Sequence, residues 1–130
     1  MTTDLWMLVY STILCTLIPI AGVTGLARTP GGMAWGMGNR DTQLAVPAWV
    51  ERVRRAHANM IENLLPFACL VLVAHVGGKA DATTALGAQV FFAARVAYTG
   101  IYIAGIPVLR TAVFFVAVAG EAMILLRLLA

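Results

Sequence analysis

Residues 51–78 of this 130-residue chain read ERVRRAHANMIENLLPFACLVLVAHVGG. The segment opens with charged and polar residues and carries no Asp, Glu, Lys or Arg after Glu62. It is long enough to cross a bilayer as one helix, since about 20 residues suffice. The sequence therefore predicts a long helix whose first turns lie at a membrane surface and whose second half lies in hydrocarbon.

Three further segments outside this helix are equally apolar. Residues 5–27 carry no charge, residues 82–109 carry only Arg95, and residues 111–126 carry only Glu121. Hydrophobic residues make up 61% of the chain and charged residues 12%, whereas about a quarter of a soluble domain is charged. This composition excludes a disordered chain, a nucleic-acid-binding domain and an ordinary cytosolic enzyme.

The predicted fold class is an all-α integral membrane protein built as a four-transmembrane-helix bundle. A single domain covers residues 1–130, with spans at approximately 5–27, 50–77, 83–104 and 107–129. Residues 28–49 are predicted to form a loop, because their glycines and prolines should break any helix. Basic residues concentrate in this loop, at the start of the second span and in the 105–110 turn, which predicts that these parts face the cytoplasm.

Polar side chains form a stripe along each of two predicted helices. At about 100° per residue, spacings of three and four residues place side chains on one helix face. The stripe on the second span consists of Arg52, Arg55, Asn59, Glu62 and Pro66. The stripe on the third span consists of Phe91, Arg95, Tyr98 and Tyr102. Ionisable groups at membrane depth face a bundle interior or a wet cavity and are functional by default.

Glu62 and Arg95 are expected at similar depths, ~18 Å and ~14 Å from the same membrane surface at ~1.5 Å per residue. One interpretation is a purely structural ion pair between these two residues. The other is an anion site, because the arginines at this level, with Arg110 added, outnumber the carboxylates. Such a cluster suits a small polar anion with several carboxylates, held near the cytoplasmic surface.

Other reactive residues carry weaker signals. Glu121 lies ~21 Å into the fourth span with no obvious partner. It could be a proton or ion site, or it could pair with a polar group from a neighbouring subunit, and the structural role is favoured. Cys15 and Cys69 lie in apolar stretches and are expected to be buried, reduced packing residues. No set of His, Cys or carboxylate residues has the spacing of a metal site, so no metal is expected.

The run E-R-V-x-R-A-H-x-N-x-x-E-N-x-x-P-F in residues 51–67 resembles the signature of the membrane-associated proteins in eicosanoid and glutathione metabolism (MAPEG). This family includes microsomal glutathione transferases and prostaglandin E synthase. Residues 95–102 and 107–111 resemble its third and fourth spans, so the resemblance covers nearly the whole chain. It implies a homotrimer in a membrane, here the inner membrane of a bacterium, with glutathione as co-substrate at each subunit interface near the cytoplasmic face.

The resemblance also implies roles for individual residues. Arg110 matches the arginine credited with stabilising the glutathione thiolate, with Thr111 as an auxiliary donor. Arg28 matches an arginine that reaches the tripeptide from the adjacent subunit. The other residues predicted to bind glutathione lie on the two stripes: Arg52, Arg55, Asn59, Glu62, Arg95, Tyr98 and Tyr102.

The implied function is that of a glutathione transferase or peroxidase, whose thiolate attacks lipophilic electrophiles or lipid hydroperoxides arriving from the bilayer. Ala58, Leu65, Tyr98 and Phe114 depart from residues of some members and argue against a specific eicosanoid synthase. One alternative is a non-catalytic member that binds a lipid or a partner protein. A second is a small multidrug-type transporter, which is disfavoured because the first span carries no charge.

Overall fold

The computed structural model describes all 130 residues, and its regular structure is entirely helical. The helices are α1 (Thr3–Ala27), α2 (Gly32–Met37), α3 (Ala48–Val76), α4 (Ala82–Ala104) and α5 (Pro107–Leu129). All except α2 are long and apolar enough to cross a bilayer. The chain is therefore an all-α integral membrane protein, and its four spans begin and end within two residues of the predicted positions.

The connection between α1 and α3 is not the helix-free loop that the sequence predicted. Its glycines stand at the two ends of α2 as well as inside it, so the expectation that they break every helix is wrong. Gly31 adopts a φ of +71°, in the left-handed region, and turns the chain into α2. The backbone N–H of Gly38 donates to the carbonyl oxygens of Ala34 and Trp35 and ends the helix. The indole N–H of Trp35 donates to the Thr42 carbonyl oxygen at 2.6 Å and holds the rest of the connection.

Helices α3 and α4 occupy the centre of the bundle, because α4 packs on α1, α3 and α5 while α1 and α5 do not touch. The rings of Phe67 on α3 and Phe91 on α4 stack with 3.9 Å between their centroids. Val71 and Ile124 complete the buried centre around them. Only 24 of the 130 residues are buried, so most apolar side chains of the spans face outward, as a hydrocarbon solvent requires.

The backbones of α4 and α5 approach closely at Gly87 and Gly120. A Cβ atom at Gly120 would lie 2.6 Å from the carbonyl oxygen of Gly87, and one at Gly87 would lie 2.7 Å from the carbonyl oxygen of Gly120. Carbon and oxygen cannot approach so closely without a shift of the backbone. Glycine at both positions is therefore what lets these two helices form the most extensive helix pair in the bundle.

Polar contacts join the helix ends at the membrane surface opposite the α4–α5 turn. Asp81 caps α4 by accepting from the backbone N–H groups of Thr83 and Thr84, and it also pairs with Arg127 at the end of α5. The Arg127 guanidinium holds the pKa of the Asp81 carboxyl below its usual range. The buried Asp4 of α1 accepts a hydrogen bond from the Thr84 hydroxyl at 3.4 Å. These contacts tie the start of α4 to both of its outer neighbours.

Candidate functional site

A cavity of about 200 Å³ lies where the first turns of α3 meet the turn between α4 and α5. Its lining residues are Arg52, Arg55, Tyr102, Gly105, Ile106, Pro107 and Arg110. Three guanidinium groups and one phenol converge here, with no carboxylate among the lining residues. The structure thus brings together four of the residues predicted from the two stripes and the fourth span.

The turn between α4 and α5 shapes this cavity around Arg52. Gly105 ends α4 with a φ of +82°, in the left-handed region. A Cβ atom at this position would lie 3.3 Å from Cζ of Arg52, so glycine supplies both the turn and the space for the guanidinium. The Nε–H group of Arg52 then donates to the carbonyl oxygen of Ile103 at 2.7 Å. Pro107, whose missing N–H costs nothing at a first helical position, starts α5.

Arg110 is the fourth residue of α5 and is half-buried. Its guanidinium stacks over the ring of Tyr102, with 4.7 Å between Cζ and the ring centroid. The start of α5 adds the positive end of a helix dipole to the same corner of the cavity. The electrostatics of the cavity therefore favour an anion.

A second polar layer lies deeper in the membrane, around the fully buried Arg95. Nη2 of Arg95 donates to Oδ1 of Asn59 at 2.8 Å, and its guanidinium stacks over the Tyr98 ring with 4.5 Å to the centroid. Tyr98 meets Tyr102 edge to face, with 5.5 Å between the ring centroids. Two aromatic rings therefore connect the buried arginine to the cavity.

The ion pair between Glu62 and Arg95, one of the two interpretations drawn from the sequence, does not form within the chain. Glu62 is exposed on α3, and the guanidinium bonds to Asn59 instead. Asn59 is the stripe residue one turn closer to the membrane surface, and the rotation of α3 turns that residue, rather than Glu62, toward α4. Within a single chain, the buried Arg95 therefore bonds to an amide, and the Glu62 carboxylate faces outward.

Two further predicted site residues, in addition to Glu62 and the buried layer around Arg95, lie outside the cavity of their own chain. Arg28 caps the end of α1 and is exposed. Thr111 is exposed, and its hydroxyl donates to the Pro107 carbonyl oxygen at 3.2 Å. Neither residue lines the cavity.

Sequence reasoning missed a second cationic cluster on the other side of α3. The guanidinium carbons of Arg40 and Arg54 lie 5.6 Å and 5.2 Å from the ring centroid of Trp35. These three residues and His57 line a cavity of about 240 Å³ beside α1. Arg54 and His57 are not members of the predicted stripe on α3, and the position of Trp35 depends on α2, which the sequence did not predict.

The fold and the cavity define a class: a four-span membrane protein with a cationic site at one membrane surface, suited to an anionic ligand. Within that class, the sequence model of the MAPEG family matches residues 5–130, and the chain belongs to this family. The family predicted from the motif is thereby confirmed.

Individual relatives point in the same direction. The chain is 37% identical to microsomal glutathione S-transferase 1 of Homo sapiens over 76 residues, which are 58% of this chain and 49% of that protein. It is 36% identical to the Sus scrofa protein of the same name over 69 residues, 53% of this chain and 44% of that protein. The match thus spans about half the length of these relatives. No solved structure matches the chain.

Proposed function

We propose that this protein is a membrane-bound glutathione transferase or peroxidase. The observation that carries the proposal is the cavity in which Arg52, Arg55 and Arg110 converge without a carboxylate. Glutathione is a small polar anion with two carboxylates and a thiol that must ionise to react, and guanidinium groups suit all three groups. The similarity to proteins named microsomal glutathione S-transferase 1 supports the same ligand.

Arg110 is the residue that we assign to the thiolate. A free thiol has a pKa of about 8.5 and is mostly protonated at neutral pH. A guanidinium beside the sulfur favours the ionised form, and the released proton passes to water. Arg110 is held in place by the Tyr102 ring and is the arginine contributed by α5. The Thr111 hydroxyl would first have to release the Pro107 carbonyl oxygen, so we assign contact with the sulfur to Arg110 alone.

The chemistry then follows from a thiolate at a membrane surface. With an electrophile, the sulfur lone pair forms a carbon–sulfur bond, and the leaving group departs with the electrons of the bond that breaks. With a lipid hydroperoxide, the sulfur attacks the terminal peroxide oxygen, the O–O bond breaks, and the alkoxide takes a proton from water. A second glutathione reduces the resulting sulfenic acid, giving glutathione disulfide and water. Either reaction detoxifies a compound that dissolves in the bilayer.

The remaining predicted residues take roles that fit their positions. Arg52 and Arg55 bind glutathione carboxylates at the cavity wall, and the exposed Glu62 binds the ammonium group from the same helix. Arg95 is fully buried, so we give it a positioning role through Asn59 and Tyr98.

Assembly and placement belong to the same proposal. We propose a homotrimer in which the exposed Arg28 reaches the cavity of a neighbouring subunit, in the inner membrane of a bacterium. The cavity faces the cytoplasm, because the basic residues concentrate at this surface.

Glutathione binding to the purified full-length protein tests the proposal directly. Glutathione should raise the unfolding temperature of the wild type and of Arg54→Ala, whose side chain is exposed and lies outside the cavity. It should not do so for Arg55→Ala. Arg110→Ala should still bind glutathione and lose its conjugation to 1-chloro-2,4-dinitrobenzene. Conjugation at the wild-type rate by Arg110→Ala would remove the assigned role, and a wild type without glutathione-dependent stabilisation would favour a non-catalytic binding protein.

A further inference from the structure

A third cavity, of about 440 Å³, lies between α3 and α5 at a depth where the candidate site plays no part. Its lining residues are Pro66, Cys69, Leu70, Val118, Glu121, Ala122 and Leu125. Glu121 is the one charged residue among them. It lies fourteen residues after Pro107, or ~21 Å along α5 at ~1.5 Å per residue, which places the cavity within the hydrocarbon region.

The Glu121 carboxylate has no partner in the chain. Its Oε1 atom is buried without a hydrogen bond, and no ion pair involves this residue. The nearby charge is Arg95 of α4, whose Nη1 is also buried without a hydrogen bond. It interacts with Glu121 only through space, and its Nη2 donates to Asn59. A carboxylate at membrane depth is costly unless a partner compensates it.

A second copy of this chain offers no free basic residue at the depth of Glu121. Eight of the nine basic residues lie near the ends of the long helices or between them, as the positions of Arg55, Lys79 and Arg127 illustrate. The ninth is Arg95, which is fully buried in its own bundle. Apart from Arg95 of the same chain, a basic group that pairs with Glu121 in this cavity therefore comes from another kind of molecule.

The walls of the cavity decide what kind of molecule that is. An inorganic cation needs several oxygen ligands, whereas this cavity offers one carboxylate among mostly apolar side chains. A neutral lipophilic compound would leave the carboxylate unpaired. The volume lies in the range of small-molecule sites, about 300–1,000 Å³.

We propose that this cavity binds a lipophilic amine, whose ammonium group pairs with Glu121 while its hydrocarbon part lies against Pro66, Leu70 and Leu125. The site shares no residue with the arginine-lined cavity. It therefore stands whether or not the chain is a glutathione transferase.

Cys69 provides a reporter inside the cavity. The expectation that this residue is buried is wrong: it lies on the outward side of α3 and is exposed. In a Cys15→Ser background it is the only cysteine. The experiment measures the rate at which a lipophilic maleimide labels Cys69 in the full-length protein in lipid vesicles, with dodecylamine or with dodecanol as the neutral match.

Dodecylamine should protect Cys69 from labelling, and Glu121→Gln should raise the concentration needed by about tenfold or more, the loss of one charge-assisted hydrogen bond. Dodecanol should protect poorly and equally in both proteins. Ala122→Phe, which fills the cavity and keeps the carboxylate, should also abolish protection by the amine. Leu126→Phe is the matched control, because Leu126 is exposed on α5 outside the cavity, and it should change nothing.

Three outcomes would overturn the proposal. The first is equal protection by dodecylamine in the wild type and in Glu121→Gln. The second is unchanged protection in Ala122→Phe. The third is a Cys69 that the maleimide cannot reach in the assembled protein without amine, because a second copy of the chain then covers the cavity.

Discussion

The guanidinium of Arg110 lies over the ring of Tyr102, with 4.7 Å between Cζ and the ring centroid. This contact fixes a long side chain of α5 against α4. Tyr102 in turn meets Tyr98 edge to face, and Tyr98 lies under the buried guanidinium of Arg95. The rings of Tyr98 and Tyr102 thus orient the Arg110 guanidinium, which we assign to the thiolate.

Removing the Tyr102 ring should misplace Arg110. Tyr102→Leu is expected to lower kcat/KM for conjugation by about tenfold, since a partly desolvated cation–π contact contributes roughly 1–2 kcal/mol. Tyr102→Phe retains the ring and should keep the bound thiolate, which ultraviolet absorbance of the glutathione complex measures. A thiolate signal that falls equally in both variants would assign the effect to the hydroxyl instead.

The charge of Arg110 should appear in the pH dependence of the reaction. Without the guanidinium, the pKa of the bound thiol rises toward that of free thiol, about 8.5. The activity of Arg110→Ala at neutral pH should then fall about tenfold for each unit of that rise and recover partly as the pH is raised. Profiles of rate against pH for Arg110→Ala and for Arg54→Ala, the matched surface arginine, check this. Parallel profiles for the two variants and the wild type would contradict it.

Loss of the hydrogen bond between Asn59 and Arg95 should lower the free energy of unfolding by more than one ordinary hydrogen bond contributes. Asn59→Leu leaves a buried guanidinium without its acceptor, which should cost about 2 kcal/mol or more of unfolding free energy. The double variant with Arg95→Met removes the buried charge as well and should recover most of the loss. Denaturant unfolding in detergent measures both. A double variant as unstable as Asn59→Leu alone would show that packing, rather than the unpaired charge, sets the cost.

The close approach of α4 and α5 should make Gly120 intolerant of even one methyl group. Gly120→Ala places a Cβ atom against the Gly87 carbonyl oxygen, and overpacking of this kind costs about 1–3 kcal/mol. Gly100→Ala is the matched control on α4, because a Cβ atom there has no neighbour within 4 Å. It should leave stability unchanged or raise it. Equal unfolding temperatures for the two variants would contradict the backbone contact.

The Asp81–Arg127 pair should make stability depend on acidity. The pKa of Asp81 is lowered in the folded protein, so the pair stabilises above the ordinary Asp value, about 3.9. This contribution is lost as the pH falls through the lowered pKa. Asp81→Asn keeps an N-cap residue and removes the charge, so its unfolding temperature should show a smaller fall in this range. Scans of unfolding temperature from neutral to acid pH check this, and parallel curves would contradict it.

Much of this architecture follows from simple sequence rules. Three of the spans were predictable because charge is nearly absent from them, and the span of α3 because its second half is uncharged. The helical period placed Arg52 and Arg55 on one face of α3 and Tyr102 on the stripe of α4. The partner of Arg95 was not predictable. Asn59 and Glu62 lie on the same predicted stripe one helical turn apart, and only the packed rotation of α3 against α4 selects between them.

The short helix α2 was missed for a different reason. Glycine content predicts a loop, but the conformation depends on where each glycine stands. Gly31 in the left-handed region precedes α2, and Gly38 at the C-cap ends it. The residues between them form the helix. The cluster of Arg40 and Arg54 around Trp35 depends on that helix, so the sequence did not predict the cluster either.

The hairpin of α4 and α5 has a consequence for how the protein is made. It is closed by the Gly105 turn at one membrane surface and by Asp81 and Arg127 at the other, with the paired glycines between them. These contacts all lie within residues 81–127 and need nothing from α1 or α3. The hairpin can therefore insert as a self-contained unit, and the cavity comes into being only when that unit docks on α3. A nascent chain halted before α5 is membrane-anchored but has no site.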